Sequence, residues 1–207
     1  MPSKKRIRRR NLWSLTVLCI LRVRPMHPYE IQRLIHEWHK DDFLDLKRGS
    51  LYHAIEQLQR AGWIAALETS REGRRPERTV YRLTEEGERE VVAWLERLLA
   101  RPLREPTQFF AALSFLPNLS PESAIKQLEE RIGLLEEEIA GLGVVLQTMV
   151  PKIGRLVLVE VEYVRAMRQA ESAWVKSLVE DLRSQKLTWN PEALRQHAAA
   201  GIPWTVE

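Results

Sequence analysis

Apolar stripes alternate with polar faces along this chain, and the period of the alternation changes twice. The nearly unbroken apolar run over 12–23 predicts a first helix, closed by Pro25. Ile31, Leu34 and Ile35 recur at three- and four-residue steps, so a second, amphipathic helix is expected from about 28 to 38, with Pro28 in its first turn. A polar connection over 41–47 follows, anchored by Phe43, Leu44 and Leu46. Leu51, Ile55 and Leu58 then mark the inward face of a third helix over about 49–61, which Gly62 ends as a left-handed cap. Beyond it the period shortens. Segments 63–69 and 79–83 are β-branched and aromatic enough to pair as a hairpin. Thr84 is placed to cap the next helix, with Glu85 and Glu86 in its first turn and Gly87 tolerated inside it.

After residue 105 the pattern becomes purely helical. A short apolar helix over 108–116 carries Phe109, Phe110 and Phe115, and Pro117 stops it. Ser120-Pro121-Glu122 opens a long helix with a capping serine and an N-terminal proline. Along it Ile125, Leu128, Ile132, Leu135, Ile139, Leu142, Leu146 and Met149 recur at alternating three- and four-residue steps, a heptad seam that signals helix pairing. Pro151 and Gly154 are expected to break it. A last helix over about 156–186 places Val159, Tyr163, Ala170, Trp174, Leu178 and Leu182 on one face, and Val157, Val161 and Val164 on a second. One neighbouring helix would not cover both faces. A neighbour plus a second copy of the chain would, so a homodimer is expected through the seam, Tyr163 and Trp174.

The predicted fold class is therefore mainly α with a small β-hairpin wing. Helix, helix, helix, strand, turn, strand and helix over 12–105 is the order of a winged helix-turn-helix. A flexible basic arm (1–11) precedes it, an antiparallel or coiled-coil helical dimerisation domain (106–187) follows, and 188–207 forms a tail.

Charge sharpens this picture. Residues 1–105 hold 22 Lys and Arg against 15 Asp and Glu, a net +7, whereas 106–207 hold 10 against 13, a net −3. A basic first half suits a polyanion. Side chains with hydrogen-bonding capacity at the start of the third helix, Ser50, Tyr52, His53 and Gln57, are the candidates for base edges of double-stranded DNA. Arg48, just before that helix, and Arg74, Arg75 and Arg78, clustered around Gly73 and Pro76 in the hairpin turn, are candidates for phosphates. A solvated loop would explain the same arginines, but not their position between two strands behind a helix of this kind.

The segments MHPYEI, GSLYHAIEQLQRAGWI, the Gly-Arg-Arg turn and YRLTEEG together resemble the PadR family of bacterial transcriptional regulators. The resemblance covers 12–100 closely. Beyond 105 it is one of architecture, to the longer branch of that family, whose C-terminal helices make the dimer. It implies a sequence-specific repressor on a palindromic operator, released by a small molecule or another signal. Tyr52 corresponds to a family tyrosine used against DNA, and Tyr29 to one near the phosphate backbone.

Other chemistry is thin. There is no P-loop, no nucleotide-binding glycine fingerprint and no nucleophile elbow, so no enzyme, cofactor or catalytic residue is expected. His36, His39, Asp41 and Asp42 read as a hydrated helix end and not as a metal site. Tyr163, Trp174, Trp189 and Trp204 are read as core aromatics ahead of a ligand pocket, and no ligand-binding residue is assigned. The lone Cys19 is expected as a buried structural thiol. The basic run Lys4, Lys5, Arg6, Arg8, Arg9 and Arg10 ahead of the apolar 12–21 resembles a signal peptide, yet Arg22 and Arg24 follow at once without a cleavage site. The apolar run also falls short of the ~20 residues of a membrane span. A cytoplasmic protein without a membrane partner is therefore expected. The competing expectation is a winged helix that binds no DNA and recruits a protein partner through its coiled coil.

Overall fold

The computed structural model describes residues 12–38, 50–70, 78–102 and 107–192, and the side chains among them except those of 68–70 and 78. The chain divides into two compact units, 1–104 and 105–207.

In the first unit, α1 (Leu12–Leu21), α2 (Pro28–Glu37) and α3 (Ser50–Arg60) precede the strands β1 (Ile64–Ser70) and β2 (Arg78–Leu83), and α4 (Glu85–Ala100) follows. α1 is apolar nearly all round because it is the centre of this unit. Val17 and Leu18 are fully buried, and Trp13, Ile20 and Leu21 nearly so, among Ile31, Ile35, Leu51, Ile55, Leu58, Val91 and Trp94 of the other helices. Cys19 packs against the same cluster, and burial pushes its thiol pKa up, opposed by the charge of Arg22. α3 ends where expected: Gly62 stands at φ +77, where a Cβ would be strained.

The strands pair antiparallel, Ile64 opposite Leu83 and Ser70 opposite Arg78, with a bulge that leaves Leu67 as the extra residue. The far edge of β2 is closed by one residue from the α1–α2 connection. Met26 N–H donates to the Tyr81 carbonyl at 3.0 Å, and Tyr81 N–H returns a bond to Met26 at 2.9 Å. Thr84 caps α4 by accepting from Gly87 N–H at 3.0 Å, while its hydroxyl donates to the Gly62 carbonyl at 2.8 Å. Gly87 is required there, not tolerated: a Cβ would lie 2.1 Å from the Trp63 carbonyl oxygen.

In the second unit, α5 (Gln108–Ser114) leads through a short 3-10 turn to α6 (Pro121–Ile153) and α7 (Val159–Arg183). Pro117 sits inside the 3-10 turn and does not end α5 itself, which stops at Ser114. Pro151 does not break α6 either. It lies within the last turn, and Gly154, at φ +86, is the true end. Ser120 caps α6 through Ser123 N–H at 3.2 Å.

α6 and α7 form an antiparallel hairpin, and this corrects the expected seam. Leu128 and Leu135 are buried inside the hairpin, with Ala124 and Leu128 packed against Val175, Val179 and Leu182 of the same chain; Ile125 and Ile132 flank them. These two positions of the expected seam are thus covered within the chain itself. Ile139, Leu142, Leu146 and Met149 are half-buried. The expected α7 face splits: Leu182 is buried and Leu178 packs against the hairpin core, but Val159, Tyr163, Ala170 and Trp174 are exposed, and the inner face runs instead through Val161, expected on the second face, with Ser172, Val175 and Val179. Ion pairs tie the two helices along the hairpin: Arg131 to Glu171, Arg183 to Glu129, Arg168 to Glu138 at 2.8 Å and Lys176 to Glu136 at 2.6 Å.

Candidate nucleic-acid interface

α3 is a helix held from behind. Leu51, Ala54, Ile55 and Leu58, spaced on one face, are all buried in the core, so the helix cannot roll without opening it. The opposite face is polar and open. Tyr52 is 58% exposed, His53 and Glu56 are exposed, and Ser50 is half-exposed in the first turn. The expected side chains therefore share the free face of one rigid helix, with its N-terminal turn unobstructed by the described residues. Gln57 differs: it is half-buried, and its amide nitrogen lies 2.8 Å from His53 Nε2. Glu56 is paired with Arg60 at 3.3 Å, an exposed pair of little energetic weight.

Tyr29 stands at the start of α2, where the helix is capped in an unusual way. The His27 Nδ1 accepts from Tyr29 N–H at 3.1 Å, and Glu30 accepts from His27 N–H at 3.2 Å. Arg24 donates to the same Glu30 carboxylate at 3.1 Å. These bonds, Arg24's first and the His27 backbone's second, hold the Glu30 pKa below the usual carboxylate range. The cap escapes the sequence reading, although His27-x-x-Glu30 has capping-box spacing with histidine in place of serine. It fixes the first turn from which Tyr29, 66% exposed, projects.

Of the remaining expected contacts, Arg48, Arg74 and Arg75 lie outside the described residues. Arg78 is placed only by its backbone, as the first residue of β2 and the partner of Ser70 at the hairpin's distal end. His39, Asp41, Asp42 and Trp204 also lie outside them, and the described residues contain no cluster of metal ligands. Neither Tyr163 nor Trp174 is a core aromatic; they are 65% and 51% exposed, with Trp174 edge-on to Phe109 at 6.5 Å. Trp189 is half-buried and donates to the Leu119 carbonyl at 2.8 Å. No described helix is long and apolar enough to cross a membrane.

Three helices, a two-stranded hairpin and a capped fourth helix around one core are the fold of a winged helix-turn-helix domain, here followed by a helical hairpin. Residues 17–93 match the transcriptional regulator PadR-like family. Among solved structures, Bacillus subtilis PadR in complex with operator DNA is similar at 20% identity and a TM-score of 0.62, over 83% of this chain and 99% of that one. The same protein in complex with p-coumaric acid is similar at 19% identity and a TM-score of 0.65, over 82% and 98%. The Vibrio cholerae virulence activator AphA is similar at 18% identity and a TM-score of 0.61, over 84% and 99%. No curated protein matches the chain in sequence. The family match thus lies within the first unit, whose residues 17–93 are similar to a PadR-like domain.

Proposed function

We propose that this chain is a sequence-specific DNA-binding regulator acting as a homodimer on a palindromic operator. The observation that carries the reading is α3: its buried face locks it to the core while Tyr52, His53 and Ser50 stand free on the other. A helix so presented offers hydrogen-bonding groups to base edges, and the basic hairpin turn offers charge to the flanking phosphates. The similar PadR fold bound to operator DNA supports the same use here.

The dimer is supported by α7. Val159, Tyr163, Met167, Ala170 and Trp174 form an exposed apolar stripe at helical spacing, on the side of α7 that its own hairpin does not cover. The similar structure holding p-coumaric acid supports a small-molecule signal, and repression released by that signal is the regulatory mode we assign. No enzymatic step is part of this function, and the cytoplasm is where it would operate. Footprinting of the purified chain on the DNA upstream of its own gene tests the proposal. Protection of an inverted repeat is expected. A dimer that protects nothing at low salt would point instead to a winged helix that recruits a protein partner.

A further inference from the structure

With α3 as the DNA-reading helix, as proposed above, the polarity of one of its contacts is set by a pair of its own side chains. Gln57 lies one turn after His53, and its amide nitrogen is 2.8 Å from the imidazole Nε2. The other end of the amide, Oε1, is buried and has no hydrogen-bond partner among the described residues. Turning the amide over would bury an NH2 group with two unmatched donors in place of one carbonyl acceptor, which costs more. The nitrogen therefore faces the ring. A donor in that place needs a lone pair on Nε2, so in the neutral imidazole the proton resides on Nδ1. His53 is exposed, and its Nδ1 bonds to no described residue.

We propose that Gln57 fixes His53 as the Nδ1–H tautomer, so that α3 offers a donor and not an acceptor to the major groove and disfavours cytosine at the base His53 meets. Guanine presents N7 and O6 in that groove, adenine N7 and thymine O4, all of them acceptors, whereas cytosine presents its N4 amino donor. Gln57 is then a positioning residue that acts through His53 and does not itself touch a base.

The tautomer is read directly in long-range 1H–15N spectra of the full-length, 15N-labelled chain at about pH 8, above the ordinary histidine range of about 6.5. The His53 signal is assigned by its loss in His53→Gln. The wild type should show Nδ1–H. Gln57→Met, which keeps the side chain's bulk without an N–H, should move the ring toward Nε2–H while circular dichroism stays unchanged. A wild-type Nε2–H ring, or a tautomer indifferent to Gln57→Met, overturns the proposal; the first of these needs no variant to fold. Selection from a random DNA pool supplies the second readout. The wild type should deplete cytosine at one position in each half-site, and Gln57→Met should restore it there by about tenfold. Cytosine undiminished at every selected position also overturns it. If the spectra come out as expected but no sequence is selected at all, the DNA-reading role of α3 fails while Gln57's control of the tautomer stands.

Discussion

Gly87 lies so close to the backbone of Trp63 that any side chain at 87 would strike the Trp63 carbonyl, with a Cβ 2.1 Å from its oxygen and 2.8 Å from a Leu83 methyl. The contact joins α4 to the start of the hairpin, and Thr84 bonds to the Gly62 and Trp63 carbonyls beside it. Backbone cannot yield as a flexible side chain can. Gly87→Ala should therefore destabilise the first unit by about 3 kcal/mol or more, at the upper end for overpacking. Urea unfolding followed by tryptophan fluorescence measures it. Gly62→Ala, with nothing within 4 Å but a positive φ, should cost only about 1–2 kcal/mol.

Tyr52 and Tyr29 are exposed, so their loss should separate stability from recognition. Tyr52→Ala is expected to change the unfolding free energy little, within about 0.5 kcal/mol. It should reduce the preference for operator over random DNA by roughly 1–3 kcal/mol if the side chain reads a base edge. Competition binding at fixed salt distinguishes this from a general loss of affinity. An equal fall on both DNAs would reassign Tyr52 to the backbone.

The arginines of the hairpin turn should act without regard to sequence. Arg74→Ala with Arg75→Ala should weaken operator and random DNA alike and flatten the salt dependence of binding by about 0.9 per lost phosphate contact. An unchanged slope between 50 and 200 mM salt, roughly the range over which such contacts are felt, would remove the wing from the interface.

Self-association should depend on the outer stripe of α7 and not on the inner seam. Tyr163→Asp, on the exposed face of α7, leaves the hairpin core untouched and should weaken the dimer by about 2 kcal/mol or more, as for a central interface aromatic. Sedimentation should then show a folded monomer. Leu135→Asp should instead unfold the second unit, because it buries a charge beneath its own partner helix.

Cys19 gives a pH- and fold-dependent handle on the first unit. Burial raises its thiol pKa, so less thiolate is present at any pH below that raised value than in the unfolded chain. Alkylation should be slow in the native protein and should accelerate when urea unfolds it. Rapid native labelling at neutral pH would show that α1 opens locally.

The first unit is legible in the sequence because its helices obey one period and its turns use residues with one job. Gly62 and Thr84 illustrate this, each specified by local backbone geometry. Gly87 reads as merely tolerated because its constraint comes from Trp63 in a distant segment, and no local pattern encodes that approach. α7 misleads for a different reason. Its inner face carries Arg165, Arg168 and Ser172 between Val161 and Val175, so hydropathy draws attention to the outer face with Tyr163 and Trp174. The charge of Arg168 is tolerated there because Glu138 and Glu171 meet it. Pro151 reads as a break because only its neighbours in the last turn of α6 decide whether a proline ends a helix. At the candidate interface, the exposure of Tyr52 and His53 is legible from their place on a helix whose other face is plainly apolar. The His53–Gln57 pair is not, since i and i+4 spacing permits a contact without requiring one.

The two bonds between Met26 and Tyr81 have a mechanical consequence. Met26 is two residues before the start of α2, and Tyr81 is in the strand that carries the hairpin turn. A tilt of the hairpin is thereby transmitted to the first turn of α2, where His27 and Glu30 hold Tyr29. The strand at Tyr81 and the start of α2 are thus joined through backbone alone, so no side-chain substitution at Met26 or Tyr81 removes the link itself.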